Sequence, residues 1–121
     1  MKVAISAQGS DMDALIDPRF GRARWFIFAD TDGDEWQAHD NDDNLNASGG
    51  AGVQAGTTIV EHGAKAVITG NVGPNAHRVL AAGGITIYQA GNGVSVRDAL
   101  AALRRGELAA AAAPTVQGHR G

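Results

Sequence analysis

Arg19, Arg22 and Arg24 fall close together around Phe20 and Gly21, with no acidic residue between Phe20 and Arg24. Guanidinium groups stay charged and donate from a fixed fork, so such a loop could hold an anion through several bonds at once. A second stretch, Gly70-Asn71-Val72-Gly73-Pro74-Asn75, feeds a helix start, where unpaired amides and the helix dipole favour negative charge. Asn71 and Asn75 add side-chain donors, Val72 adds an apolar surface, and His77 on the first turn after Pro74 could act as a ligand or donor. The run Ser48-Gly49-Gly50-Ala51-Gly52 opens another helix, so the amides of Gly50 and Gly52 could reach the same guest. Each stretch also has a plainer reading: a solvated charge run, an ordinary glycine-rich βα turn, a flexible helix entry. The pattern alone leaves both open, and the choice depends on whether the fold gathers the three segments.

Other chemistries find little support. Without cysteine there is no disulfide, no thiolate-bound zinc and no cluster attached through protein sulfur. His39, His62, His77 and His119 form no i, i+4 pair and have no carboxylate at zinc-site spacing, so His39, His62 and His119 read as surface or helix-end residues. Gly50 to Ala55 satisfies a dinucleotide fingerprint in letters only, because it follows a polar loop and lacks the acidic residue further on. No nucleophile elbow or P-loop lysine is present, and an enzyme acting on a small phosphorylated substrate would have His77 as its one evident base. Asp30, Asp32, Asp34, Glu35, Asp40, Asp42 and Asp43 read as a solvated acidic face that protects an edge strand. The rest of the chain is net basic, so an overall charge of -3 does not forbid an anionic ligand. Basic residues outside the Arg19 loop are scattered, which argues against nucleic acid. No run approaches membrane-spanning length or a signal peptide, which gives a cytoplasmic expectation with no membrane partner.

The elements that must position these residues follow from periodicity. A chain of 121 residues with 44% hydrophobic residues supports one core, read as a domain over 1–106 and a tail over 107–121, and as a monomer. Strands are predicted over 3–7, 25–29, 35–39, 66–69 and 85–88, with a turn at 31–34 between the second and third. Helices are predicted over 53–62, from Pro74 through Leu80, and from Ser95, whose pairing with Asp98 resembles a capping box, through Arg105. The order β-β-β-α-β-α-β-α gives a mixed α/β sheet, 3-2-1-4-5, with strand 2 antiparallel. Loops 8–24, 40–52, 70–75 and 89–94 then share one edge. Strands 1 and 4, adjacent with diverging exits, should open a crevice there.

Taken together, Met1-Lys2-Val3-Ala4-Ile5, Asp17-Pro18-Arg19-Phe20-Gly21-Arg22-Ala23, Gly49-Gly50-Ala51-Gly52 and Gly70-Asn71-Val72-Gly73-Pro74-Asn75-Ala76 resemble the dinitrogenase iron-molybdenum cofactor-binding family over nearly the whole chain. The closing Pro114-Thr115-Val116-Gln117-Gly118-His119 is similar to the tail of its stand-alone members. That family includes NifX-like and NafY-like cofactor carriers, the C-terminal part of NifB and an orange-protein branch that carries a molybdenum-copper sulfide. The resemblance implies a ribonuclease-H-like three-layer fold with three helices, no catalysis, and non-covalent carriage of an anionic metal-sulfur cluster. Nitrogenase-associated members can carry histidine just before the Phe-Gly pair, where this chain has Arg19. With cysteine also absent, a molybdenum-copper sulfide fits better than an iron-molybdenum cofactor, held by Arg19, Phe20, Gly21, Arg22, Gly50, Gly52, Gly70, Asn71, Val72, Gly73, Asn75 and His77. A protein partner in cluster delivery is implied too. The competing reading keeps the fold as a protein-interaction or regulatory module without a cluster. A nuclease is disfavoured, because the central strands carry no carboxylate to hold two metal ions.

Overall fold

The computed structural model describes residues 1–42 and 50–114, so Asp43, Ser48, Gly49, His119 and the tail from 115 lie outside the described residues. Three strands open the chain: β1 (Lys2–Ala7), β2 (Trp25–Asp30) and β3 (Trp36–Asp40). There follow α1 (Ala51–Glu61), β4 (Ala66–Thr69), α2 (Pro74–Ala82), β5 (Thr86–Gln89), α3 (Val96–Arg104) and β6 (Ala109–Ala110).

The sheet order is β3-β2-β1-β4-β5-β6. Strand β2 is antiparallel to β1 and β3, whereas β1, β4 and β5 run parallel, as the ribonuclease-H-like reading requires. The sixth strand is an addition to that expectation. Ala109 and Ala110 pair antiparallel with Gln89 and Tyr88, so the first part of the predicted tail extends the sheet.

Alternation along each strand divides the interior into two layers. Ala4, Phe26, Phe28 and Val67 face α1 and α2, where they meet Ala55, Ile59, Ala76 and Leu80. Val3, Ile5, Ile27 and Ile68 face α3, where they meet Val96, Ala99 and Leu100. Both faces of β1 and β4 are covered, which explains their apolar, small-residue sequences.

Local signals set the helix boundaries. Pro74 stands in the first turn of α2, where its missing N-H costs nothing. The Ser95 hydroxyl caps α3 by accepting from the Asp98 amide at 3.1 Å, the forward half of the predicted capping box. Helix α1 begins two residues earlier than predicted, at Ala51, because Ala51 is buried and draws the helix entry onto the sheet.

Because β1, β3, β4 and β5 point the same way, loop 8–24, the segment after β3, the α2 entry and loop 90–95 all leave one edge. No helix among the described residues is long and apolar enough to cross a membrane.

Candidate functional site

The arginine loop is fastened to this rim from below. Buried Ser6, near the end of β1, donates its hydroxyl to the Asp17 carbonyl at 2.8 Å and shares a 2.7 Å hydrogen bond with the hydroxyl of buried Thr69 at the end of β4. The Asp17 amide in turn donates to the Ser6 carbonyl at 2.9 Å. Asp17, itself buried, turns its carboxylate onto the Arg19 amide at 2.9 Å and lies 3.7 Å from the Arg19 guanidinium. Farther along, fully buried Asn41 donates its side-chain amide to the Ala23 carbonyl at 2.7 Å, and its backbone amide to Arg24 at 2.9 Å. Both ends of the loop are therefore held by buried polar groups that bond its backbone, a fixed arrangement because leaving any of them unpaired would cost about 1–3 kcal/mol.

Between those anchors the loop joins the α2 entry directly. The Phe20 amide donates to the Asn71 carbonyl at 3.1 Å and the Asn71 amide to the Pro18 carbonyl at 2.7 Å, a two-bond seam between loop 8–24 and the glycine turn. Glycine is needed along this seam because backbones touch. A Cβ on Gly70 would stand 2.7 Å from Pro18 Cα, and one on Gly21 would stand 2.8 Å from Gly52 Cα. A Cβ on Gly52 would in turn stand 3.3 Å from the Cβ of Ala76. The three predicted segments thus lie in contact at one place. Gly70→Ala should lower the unfolding free energy by about 1–3 kcal/mol, because the methyl meets backbone that cannot rotate away, and an unchanged urea midpoint would contradict this close approach.

Loop 8–24 crosses the divide between β1 and β4, where Arg19 bridges to Asn71. A groove of about 580 Å³ lies at the far edge, lined by Lys2, Phe28, Asp30, Glu35, Trp36 and Gln37, where the carboxylates oppose an anion.

The predicted site residues take different parts. Phe20 and Val72 are buried in the core, with Phe20 tilted against Phe26 at 5.2 Å between centroids, so their side chains anchor the loops. Gly21, Gly52 and Gly70 serve the contacts just described, while Gly50 and Gly73 are the N-caps of α1 and α2. Arg19, Arg22, Asn71 and Asn75 are exposed at the rim, with His77 half-buried beside them. Arg24 differs from its neighbours: it pairs with Asp40 and lies over Trp25, 5.0 Å from the ring centroid. The amide of Asp42, followed by Arg24, holds the Asp40 carboxyl below its usual range. Arg22 meets no carboxylate among the described residues.

The two helices that start at this rim share an electrostatic feature. Neither α1 nor α2 has a side-chain cap or an acidic residue in its first turn, whereas α3 has both in Ser95 and Asp98. Uncapped helix starts leave amide donors and positive dipole ends facing outward. No group of three or more His, Asp or Glu among the described residues could hold a metal ion, so the rim offers charge and amides rather than a coordination sphere.

The family model for dinitrogenase iron-molybdenum cofactor proteins matches residues 1–106. The chain belongs to this family. Among solved structures, the apo form of the orange protein from Desulfovibrio gigas superposes with a TM-score of 0.92 at 36% identity, covering 95% of this chain and 96% of the other. A putative NifB protein from Thermotoga gives 0.82 at 31% identity, over 97% and 98% of the two chains. An uncharacterized protein of Methanocaldococcus jannaschii is 27% identical over 110 residues, 89% of each chain. Within this cofactor family fold, the parts invisible to sequence reasoning were the anchors Ser6, Asp17, Asn41 and Thr69. Their one signal was a polar residue at a strand end or loop position that burial would otherwise penalise.

Proposed function

We propose that this member of the family carries an anionic metal-sulfide cluster non-covalently at the rim formed by Arg19, Arg22, Asn71, Asn75, His77 and the starts of α1 and α2, and that it does so without turnover. The observation that carries the reading is the glycine seam, which puts two exposed arginines and two uncapped helix starts on one surface. Nearby Asp17 and Asp40 do not oppose the guest directly, since Asp17 is buried against its own loop and Asp40 is paired with Arg24.

The donor set favours a particular cargo. A cluster whose metals already carry sulfide ligands needs a counter-charge and hydrogen-bond donors rather than protein thiolates, and this chain has no cysteine. A molybdenum-copper sulfide, as in the orange-protein branch, suits these residues better than an iron-molybdenum cofactor requiring imidazole at position 19. A protein that receives the cluster would dock over the same surface.

Adding tetrathiomolybdate and copper to the purified apoprotein tests the proposal. The expected result is a visible chromophore that co-migrates with the protein at fixed stoichiometry and weakens with added salt, because exposed charges hold it. Chromophore that separates from the protein on gel filtration would favour the interaction module instead.

A further inference from the structure

Strand β3 stands at one margin of the sheet, and its outer side meets no strand among the described residues. The Asp30 amide donates to the Glu35 carbonyl at 3.2 Å and the Asn41 amide to the Arg24 carbonyl at 2.9 Å, which sets the phase of the antiparallel ladder. In such a ladder every second residue turns its N-H and C=O toward the neighbouring strand. Glu35, Gln37, His39 and Asn41 therefore bond to β2, while Trp36 and Ala38 between them turn their backbone groups outward. The opposite margin, β6, is two residues long, so β3 with five is the edge able to receive a strand.

The two faces of this edge differ in chemistry. His39 turns onto Phe28 and His62, with ring centroids 6.2 and 4.8 Å away, so alternation puts Glu35, Gln37 and His39 on the α1 face. The far-edge groove opens beside Glu35 and Gln37. On the α3 face Ala38 packs against the core, and Trp36 is 44% exposed. Around the groove, Asp30 is paired with the Met1 amine, and the Lys2 ammonium donates to the His62 carbonyl at 2.8 Å. Asp34 and Glu35 are exposed and meet no cation among the described residues.

We infer that β3 is a docking edge for an extended, basic segment of a partner protein, which adds as a further strand and alternates cationic with apolar side chains. Its backbone bonds that of Trp36 and Ala38, its cations lie over Glu35 and the groove, and its apolar side chains cover the indole of Trp36. A second copy of this chain is the poorer occupant. Two copies joined β3 to β3 would bring the carboxylates of Asp34, Glu35 and Asp40 from both chains to one seam, where like charges repel. The charge that shields this edge from its own kind thus selects a cationic strand. The surface is separate from the arginine rim and does not depend on what the rim carries.

The test titrates the protein with a capped hexapeptide that alternates lysine and valine, and follows amide exchange residue by residue. In the free protein the Trp36 and Ala38 amides should exchange readily. At a peptide concentration about ten times its dissociation constant they should slow about ten-fold, whereas the Gln37 and His39 amides, already bonded to β2, should change little. Ala38→Pro removes an outward donor and spares the bonds to β2, so it should weaken binding about ten-fold. Glu35→Lys, on an exposed side chain, should weaken it comparably, and a hexapeptide alternating glutamate and valine should not bind. Trp36 and Ala38 amides protected before peptide is added would show the edge already covered and overturn the inference. So would equal binding of the glutamate peptide, slowed exchange confined to the arginine rim, or no change at millimolar peptide. A concentration-dependent dimer that protects the same two amides would overturn it by giving the edge to a second copy.

Discussion

Arg19→Glu combined with Arg22→Glu is expected to abolish uptake of the copper-thiomolybdate cluster while leaving the urea midpoint within experimental error of the wild type. The change turns two positive charges into two negative ones on a surface whose other attractions, amide donors and helix dipoles, are individually worth about 0.3–1 kcal/mol. Coulomb repulsion near the surface, at about 4 kcal/mol for unit charges 4 Å apart at an effective dielectric of 20, outweighs them. Stability should survive because the Arg19 side chain is 68% exposed and its one ionic contact among the described residues, to Asp17, is long at 3.7 Å. Exposed pairs of this kind contribute about 0–1 kcal/mol. Arg24→Gln is the matched control: Arg24 is already committed to Asp40 and Trp25, so its loss should spare most of the uptake. Undiminished chromophore in the double variant would remove the arginine loop from the site.

Phe20→Ala should cost about 3–5 kcal/mol of unfolding free energy, the range for a buried phenylalanine whose cavity cannot fully collapse. Phe20 is 1% exposed, packs on Phe26, and sits between the two arginines in the segment that pairs with Asn71. Loss of the ring therefore removes packing and loosens the seam together. Even at low temperature, where the variant remains folded, it should take up cluster more weakly than wild type, a result that separates it from a purely structural lesion elsewhere in the core. Leu80→Ala, equally buried but in the last turn of α2 rather than at its start, supplies that comparison. If both variants lose stability and neither loses uptake, the loop does not need its anchor.

Much of this architecture was legible from residue pattern. The continuous apolar runs of β1, β2 and β4 and the proline and capping serine at helix starts each have one dominant local cause, so their elements lie close to where they were expected. Strand β6 was not legible, because Ala109 and Ala110 carry no strand preference and pair only once β5 offers an edge. The gathering of Arg19, Gly52 and Gly70 followed from strand direction, but the bridging of loop 8–24 to Asn71 across the divide between β1 and β4 did not. Loop length says nothing about where a loop lies; the bonds from Ser6 and Asn71 decide it. The contact of His39 with His62 was hidden for a similar reason, since one belongs to a strand and the other to a helix end, and spacing rules address a single element.

The seam between Pro18 and Asn71 joins main chain to main chain, and the Arg19 side chain points away from it into solvent. Position 19 is consequently a socket that accepts different fittings. An imidazole, an amide or a guanidinium could be installed there without disturbing the mount, so under the proposed function a single codon would retune the choice of cargo while the housing stays as it is.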